Sequence, residues 1–163
     1  MAQANTSAAV RELLGRSLAW EDAHAAFDKA VRDMPENLRG TRPEGWPHSA
    51  WELLEHLRLV QCDILDFCRN ANYVEPHWPD DYWPKSPAPP ARDAWDRSVD
   101  QFVRDRAALQ ALVADPATDL FAPIPHGSGQ TILREIILVV DHTAYHVGQL
   151  IMVRRALGAW RGA

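Results

Sequence analysis

Twelve prolines divide this chain into four segments that are able to form helices. The prolines all fall within three stretches, residues 35–47, 71–90 and 116–129, and the second of these contains six. Proline lacks a backbone N–H and its ring clashes with the preceding helical turn, so none of the three stretches can be regular helix. The pattern predicts helical segments joined by long irregular connections.

Within each segment the apolar residues recur at helical spacing. The predicted helices run from Ser7 to Asp33, from Ala50 to about Asn70, from Ala91 to about Ala114, and from about Thr131 to Leu157. The second helix begins with a capping box, in which Ser49 accepts from a first-turn amide and Glu52 reaches back to the cap. No segment has a convincing strand pattern. We therefore predict an all-α, four-helix bundle that forms one domain over residues 1–163.

The connections are too long for ordinary bundle loops. The second one contains an aromatic run, residues 78–84, with the sequence Trp-Pro-Asp-Asp-Tyr-Trp-Pro. We expect this run to pack on the bundle. It would serve there either as a wall facing a substrate or as a structural clamp.

Composition excludes several classes of protein. The formal net charge is -5, so the chain lacks the excess of positive charge that is typical of proteins that bind DNA or RNA. Arg134, Glu135 and Asp141 interrupt the longest apolar run, which keeps it below the roughly 18 uncharged residues of a membrane span. The first residues, with Arg11 and Glu12, lack the apolar core of a signal peptide. We expect a soluble, cytoplasmic protein.

The two cysteines support the same expectation. Cys62 and Cys68 lie six residues apart without a C-x-x-C motif. Two unpaired thiols in a reducing compartment are the favoured interpretation, with a disulfide as the alternative.

Two histidines, His142 and His146, lie in the most apolar of the predicted helices. Residues at positions i and i+4 share one face of a helix, so the two imidazoles project side by side and can chelate one divalent metal. The pair alone leaves metal binding and core packing as open alternatives. Thr143 occupies the place where a zinc protease of the H-E-x-x-H type has its glutamate, which argues against that chemistry.

A third ligand is needed, because catalytic metal sites commonly combine three protein ligands with an open position. His56 is the candidate, since it lies beside the apolar face of the second helix and points into the margin of the bundle. His24, predicted to be in the middle of the first helix, is a fourth ligand, a substrate contact or an exposed residue. We assign His48, His77 and His126 to surface or loop packing.

The last helix has a second apolar stripe, formed by Leu133, Val140, Val147 and Ile151. A helix that is apolar on two sides needs two neighbours. One is the bundle core, and we expect the other to be a second subunit, which predicts a homodimer.

Taken together, several segments resemble the DinB/YfiT-like family of metal-binding proteins. The matching residues are Ser49-Ala50-Trp51-Glu52-Leu53-Leu54-Glu55-His56-Leu57-Arg58, Asp63-Ile64-Leu65, Trp78-Pro79-x-x-Tyr82-Trp83-Pro84, Leu133-Arg134-Glu135 and Asp141-His142-x-x-x-His146-x-Gly148-Gln149. The resemblance runs over nearly the whole chain, and the combination is more specific than any one segment. It implies a bundle with up-down-down-up connection and a metal held by His56, His142 and His146. Some relatives are thiol transferases that use bacillithiol, mycothiol or glutathione, and others are thiol-dependent isomerases.

These inferences lead to a functional expectation. Imidazole ligands suit zinc and nickel, so we expect a metal-dependent enzyme acting on a small molecule, with S-transfer from a low-molecular-weight thiol as the leading reaction. The alternatives are a non-catalytic dimeric bundle with a structural metal, and a metal-dependent hydrolase or isomerase. Substrate contacts or supports for the metal ligands are expected among Arg58, Tyr145, Gln149, Trp83 and His24.

Overall fold

The computed structural model describes residues 2–160, with side chains from residue 7 onward. Its α-helices are α1 (Ala2–Ser17), α2 (Phe27–Val31), α3 (Ala50–Arg69), α4 (Ala94–Ala114) and α5 (Ile132–Ala156). Between residues 2 and 160 no strand forms, and the only β-type pairing is an isolated bridge between Pro123 and Thr131. The all-α prediction is confirmed, and the prolines lie in the connections between the long helices.

Side-chain hydrogen bonds fix the relative directions of α1 and α4. Near the end of α1, the carbonyl of Gly15 accepts from Gln110. One turn earlier, Arg11 donates to the carbonyl of Val113 over 2.8 Å. Moving back along α1 therefore means moving forward along α4, and the two helices are antiparallel.

The other two helix pairs complete the topology. Glu55 accepts from Ser98, and Gln61 donates to the carbonyl of Phe102, so α3 and α4 are parallel. His56 contacts His142, whereas Cys68, three turns later in α3, lies near Glu135 at the start of α5. Because α3 and α5 are thus antiparallel, the long helices have the up-down-down-up arrangement that the resemblance implied.

The prediction of one helix from Ser7 to Asp33 is wrong. Helix α1 ends at Ser17, and the chain continues through an irregular link, residues 18–26, into the short helix α2. The link is largely exposed and carries Glu21, Asp22 and His24 in its middle, whereas Leu18 at its start and Phe27 just after it are buried. Phe27 stacks on Phe102 in the core, with 3.8 Å between ring centroids, and the break lets α2 fold back across the bundle to reach that position.

Helix α2 also covers the second apolar stripe of α5. Val147 is only 2% exposed and lies in the same core cluster as Phe27, while Ile151 packs against that cluster. Val140 packs against a second cluster that contains Leu18. The chain itself therefore covers the stripe that we had assigned to a second subunit, and that part of the argument for a dimer is wrong.

Local signals set the ends of the two helices that matter for the site. The capping box at the start of α3 is confirmed, with Ser49 accepting from the amide of Glu52 and the Glu52 carboxylate accepting in return. Thr131 caps α5 by accepting from Arg134, and Gly158 follows its end with a φ of +68°. Helix α4 begins at Ala94, three residues later than expected.

By length and apolar composition alone, α5 is able to cross a membrane. In the bundle it packs against α3 and α2, and one side is buried, including Ile136, Val139, Leu150 and Val153. Part of the apolar surface of α5 is therefore used in packing against other helices of the same chain.

Candidate metal centre

Helices α3 and α5 bring His56, His142 and His146 together. One ring nitrogen from each residue lies within 4.8 Å of the others, and Nε2 of His142 is 3.1 Å from Nε2 of His56. No fourth His, Cys, Asp or Glu from the described part of the chain joins this group. His56 is only 2% exposed, so it lies inside the bundle and not at the margin that we expected.

The orientation of His56 is set by the connection between α3 and α4. Its Nδ1 lies 2.8 Å from the backbone carbonyl of Tyr82. A carbonyl can only accept, so Nδ1 carries the hydrogen and the lone pair is on Nε2, the nitrogen that faces the other two histidines. A hydrogen bond of this kind from the far ring nitrogen is the usual support of a metal-binding histidine.

His146 has the same kind of support from within its own helix. Its Nδ1 is 2.8 Å from Oε1 of Gln149, one turn further along α5. The amide oxygen accepts the hydrogen of Nδ1, which leaves the lone pair on Nε2. Two of the three imidazoles are thus held in the tautomer that binds a metal through Nε2.

The electrostatics of the cluster keep the three rings neutral. Burial lowers the pKa of His56 to about 4, against the opposing effect of the hydrogen bond to Tyr82. Burial and the neighbouring histidines lower the pKa of His142 to about 3. The pKa of His146 is also lowered, mainly by burial. Metal ions bind the neutral imidazole, so these side chains are in the binding form at neutral pH.

These residues fit a divalent metal. Zinc–nitrogen bonds of about 2.0–2.1 Å in tetrahedral geometry place two ligand nitrogens roughly 3.3 Å apart, and the separation between His142 and His56 is close to that value. Three neutral imidazoles, two of them with supported tautomers, match the donor set of a catalytic zinc site, in which the fourth position stays open.

A stack of three rings forms one wall of the site. The indole of Trp83 lies flat on the imidazole of His56, with 3.9 Å between centroids and 2° between the planes. The imidazole of His48 stacks on Trp83 at 4.1 Å. Trp83 therefore lies directly against one of the three histidines. Trp78, at the other end of the aromatic run, is 65% exposed and does not share this role.

The remaining predicted residues have separate positions. Tyr145 is exposed and presents its ring face-to-edge against His146, with 4.9 Å between centroids. Arg58 forms an ion pair with Glu55, close to Ser98 of α4, and not with the cluster. His24 is exposed in the link between α1 and α2, and it is neither in a helix nor in the histidine group.

The sequence comparison agrees with this geometry. A family model described as the DinB superfamily matches residues 19–150, which is most of the chain and includes all three histidines. The chain belongs to the DinB superfamily. No curated protein and no solved structure matches it.

Two residues that support the site in this DinB protein were not predicted. Tyr82 supports His56 through a backbone carbonyl, and backbone acceptors leave no trace in the side-chain pattern. His48 was assigned to loop packing, but its ring extends the stack on Trp83. A histidine next to the Ser49 cap, eight residues before His56, was the available signal, since the cap brings that end of the connection close to α3.

The thiols of the chain are not candidate nucleophiles. Cys62 and Cys68 are both free, as expected. Burial raises the pKa of Cys68 to about 12, and burial together with the nearby Asp105 carboxylate raises that of Cys62. Reactive cysteines have a lowered pKa, and neither thiol has this property.

Proposed function

We propose that this DinB-superfamily protein is a metal-dependent enzyme whose divalent ion, zinc or nickel, is held by His56, His142 and His146. The observation that carries the proposal is the convergence of three neutral imidazoles, two of them with fixed tautomers, without a fourth protein ligand among the described residues. A structural zinc site is usually closed by four protein ligands. A three-ligand set therefore supports an enzyme rather than a protein whose metal only stabilises the fold.

The reaction we propose is the transfer of a low-molecular-weight thiol to an electrophile. When bound, the metal lowers the pKa of a thiol or water in its open position, and so supplies a nucleophile at neutral pH. The thiol would lose its proton to solvent, its sulfur would form a new bond to the electrophilic carbon, and the bond from that carbon to the leaving group would break, with the leaving group taking the electron pair. The chain's own cysteines are poor nucleophiles, which supports an external thiol.

The protein residues would contribute orientation and shielding. Tyr82 and Gln149 hold two imidazoles in the binding tautomer, while Trp83 covers the flat face of His56 and excludes water from that side. Tyr145, exposed beside His146, is placed to contact a substrate. We assign these groups to positioning.

Metal content is the first test. Elemental analysis of the native protein should give one divalent ion per chain. His56→Ala, His142→Ala and His146→Ala should each weaken metal affinity by at least about tenfold. His126→Ala is the matched control, because His126 lies in a loop outside the cluster, where its ring bonds the backbone carbonyl of Phe67. Full metal retention in His146→Ala would remove the proposal.

Thiol consumption tests the reaction. Glutathione, bacillithiol and mycothiol would be incubated with 1-chloro-2,4-dinitrobenzene, and wild type compared with His142→Ala at equal concentration. Faster loss of at least one thiol with the wild type is expected. If wild type and His142→Ala consume each of the three thiols at equal rates, hydrolysis or a structural metal is the better explanation.

We also propose a cytoplasmic homodimer. The support is the outward face of α5, where Ile137 and Met152 are 54% and 46% exposed. Exposed apolar side chains on one helix face are typical of an interface. Light scattering at micromolar concentration should give twice the chain mass, and a monomer mass would contradict the dimer.

A further inference from the structure

A small pocket lies next to the three-histidine cluster. It is lined by Trp46, Pro47, His48, Leu53, Gln149 and Val153, and its cavity volume is about 230 Å³. Two of these residues connect it to the cluster. Gln149 bonds His146, and His48 stacks on the indole that covers His56. One side chain therefore separates the pocket from His146, and two separate it from His56.

The polar groups of the pocket have unused hydrogen-bonding capacity. Oε1 of Gln149 is occupied by His146, but its amide nitrogen has no partner within residues 2–160 and is free to donate. Nδ1 of His48 is buried, and it too has no hydrogen-bond partner among the described residues. Buried polar groups in native proteins are almost always satisfied, so an orphan of this kind indicates a water or a ligand.

The rest of the lining selects for an apolar group of limited size. Trp46, Pro47, Leu53 and Val153 provide aromatic and aliphatic surface without charge. A cavity of about 150 Å³ lined by apolar side chains binds benzene. The volume here suits one substituted ring, and it is below the roughly 300 Å³ at which pockets for drug-sized ligands begin.

We propose that this pocket binds a single-ring aromatic group of the electrophilic substrate. In this arrangement the Gln149 amide nitrogen donates to a carbonyl or nitro oxygen on the ring substituent. The proposal rests on the proposed function, because it names the class of electrophile that the thiol would attack. It also gives Gln149 two tasks, since the same amide group holds the tautomer of His146 and contacts the substrate.

Acetophenone is a suitable probe, because it has one ring and one carbonyl acceptor but no leaving group. It would be titrated into the ¹⁵N-labelled full-length protein as purified. We expect saturable NMR shifts of the Trp46 indole N–H and the Gln149 side-chain NH₂, with a dissociation constant on the order of 1 mM for a ligand of this size. Ethylbenzene, which lacks the acceptor, should bind at least about threefold more weakly.

Two variants separate the pocket from general effects. Trp46→Ala removes one wall and should weaken acetophenone binding about fivefold or more. Trp20→Ala is the matched control, because Trp20 is a partly exposed tryptophan in the link between α1 and α2 and lines a different groove. If Trp46→Ala fails to fold, the wild-type shifts and the ethylbenzene comparison still decide the question.

Saturable binding that leaves the Trp46 and Gln149 signals unmoved would overturn the proposal, as would the absence of saturable binding. Equal affinity for ethylbenzene would overturn the role of Gln149 as a donor. The proposed function fails separately, through metal content and thiol consumption, neither of which requires acetophenone to bind. If acetophenone binds in the pocket but the protein holds no metal, the proposed ligand site stands and the proposed metal-dependent activity is refuted.

Discussion

The hydroxyl of Tyr82 donates a hydrogen bond to Oδ2 of Asp63, with 2.8 Å between the two oxygens. The backbone carbonyl of Tyr82 accepts from His56, which lies two turns before Asp63 on the same face of α3. One residue of the connection is therefore attached to α3 at two points, and one of these points is a proposed metal ligand. Tyr73 also donates to Asp63, through Oδ1 at 2.8 Å, but it has no hydrogen bond to His56.

This arrangement predicts different effects for two similar substitutions. Tyr82→Phe and Tyr73→Phe each remove one hydrogen bond to Asp63 and should each destabilise the protein by about 1 kcal/mol. Only Tyr82→Phe loosens the carbonyl that orients His56, and it should weaken metal affinity by about threefold or more. Competition with a chromophoric chelator measures the affinity, and urea unfolding measures the stability. Equal metal affinities for the two variants would show that Tyr82 does not position His56.

Gln149 gives a second prediction about the tautomers. Gln149→Leu removes the acceptor for Nδ1 of His146, and metal affinity should fall by roughly tenfold. Gln149→Glu keeps an acceptor at the same position, and its negative charge makes the imidazole a stronger ligand, so affinity should be retained or increased. Chelator competition at pH 7 compares both variants with the wild type. A similar loss in both variants would indicate that packing, and not the hydrogen bond, is the important property of Gln149.

Local sequence signals predicted much of the fold and the site. The capping box at Ser49 and Glu52 depends on residues three apart, so its effect could be recognised without tertiary structure. The pairing of His142 with His146 depends on helix geometry alone. The choice of His56 required more, because its position opposite the pair follows from how α3 packs against α5. Its place beside the apolar face of α3 made it the candidate, and the family resemblance implied the same three histidines.

The missed features depend on contacts between distant parts of the chain. The apolar period continues from Leu18 to Phe27 across the break, so spacing alone could not separate α1 from α2. Because α2 was merged into the first helix, no element was left to cover Val147, and a second subunit was assigned that role. A single undetected break therefore caused both errors.

Arg154 holds the short helix α2 against the end of α5. Its guanidinium is buried and donates to the carbonyls of Ala30 and Arg32 at 2.6 and 2.8 Å, and to that of Ala159 at 2.9 Å. Arg154→Ala leaves these carbonyls without their donor and should lower the free energy of unfolding by about 3 kcal/mol. Arg154→Lys should recover only part of the loss, because an ammonium group lacks the planar fork.

Urea unfolding tests this prediction, with Arg155→Ala as the control. Arg155 is the next residue and is exposed, so its removal should change stability by no more than about 0.5 kcal/mol. Equal stability of Arg154→Ala and Arg155→Ala would contradict the role assigned to the buried guanidinium.

The ion pair between Asp28 and Arg106 joins α2 to α4 and makes stability depend on pH. Both guanidinium nitrogens contact the carboxylate, at 2.7 and 3.0 Å, and this hydrogen bonding lowers the pKa of Asp28 despite partial burial. A lowered pKa means that the pair stabilises the fold above the unfolded-state pKa of about 3.9 and stops doing so as pH falls through the folded-state value. Asp28 is partly exposed, so Asp28→Asn should cost no more than about 1 kcal/mol at pH 7.

Urea unfolding of wild type and Asp28→Asn from pH 7 to pH 3 tests this prediction. The difference in the free energy of unfolding should be constant down to about pH 4 and should shrink below it. The control is Asp141→Asn, at an exposed site on α5, which should differ little from wild type throughout. A difference that grows as the pH falls would refute the assignment.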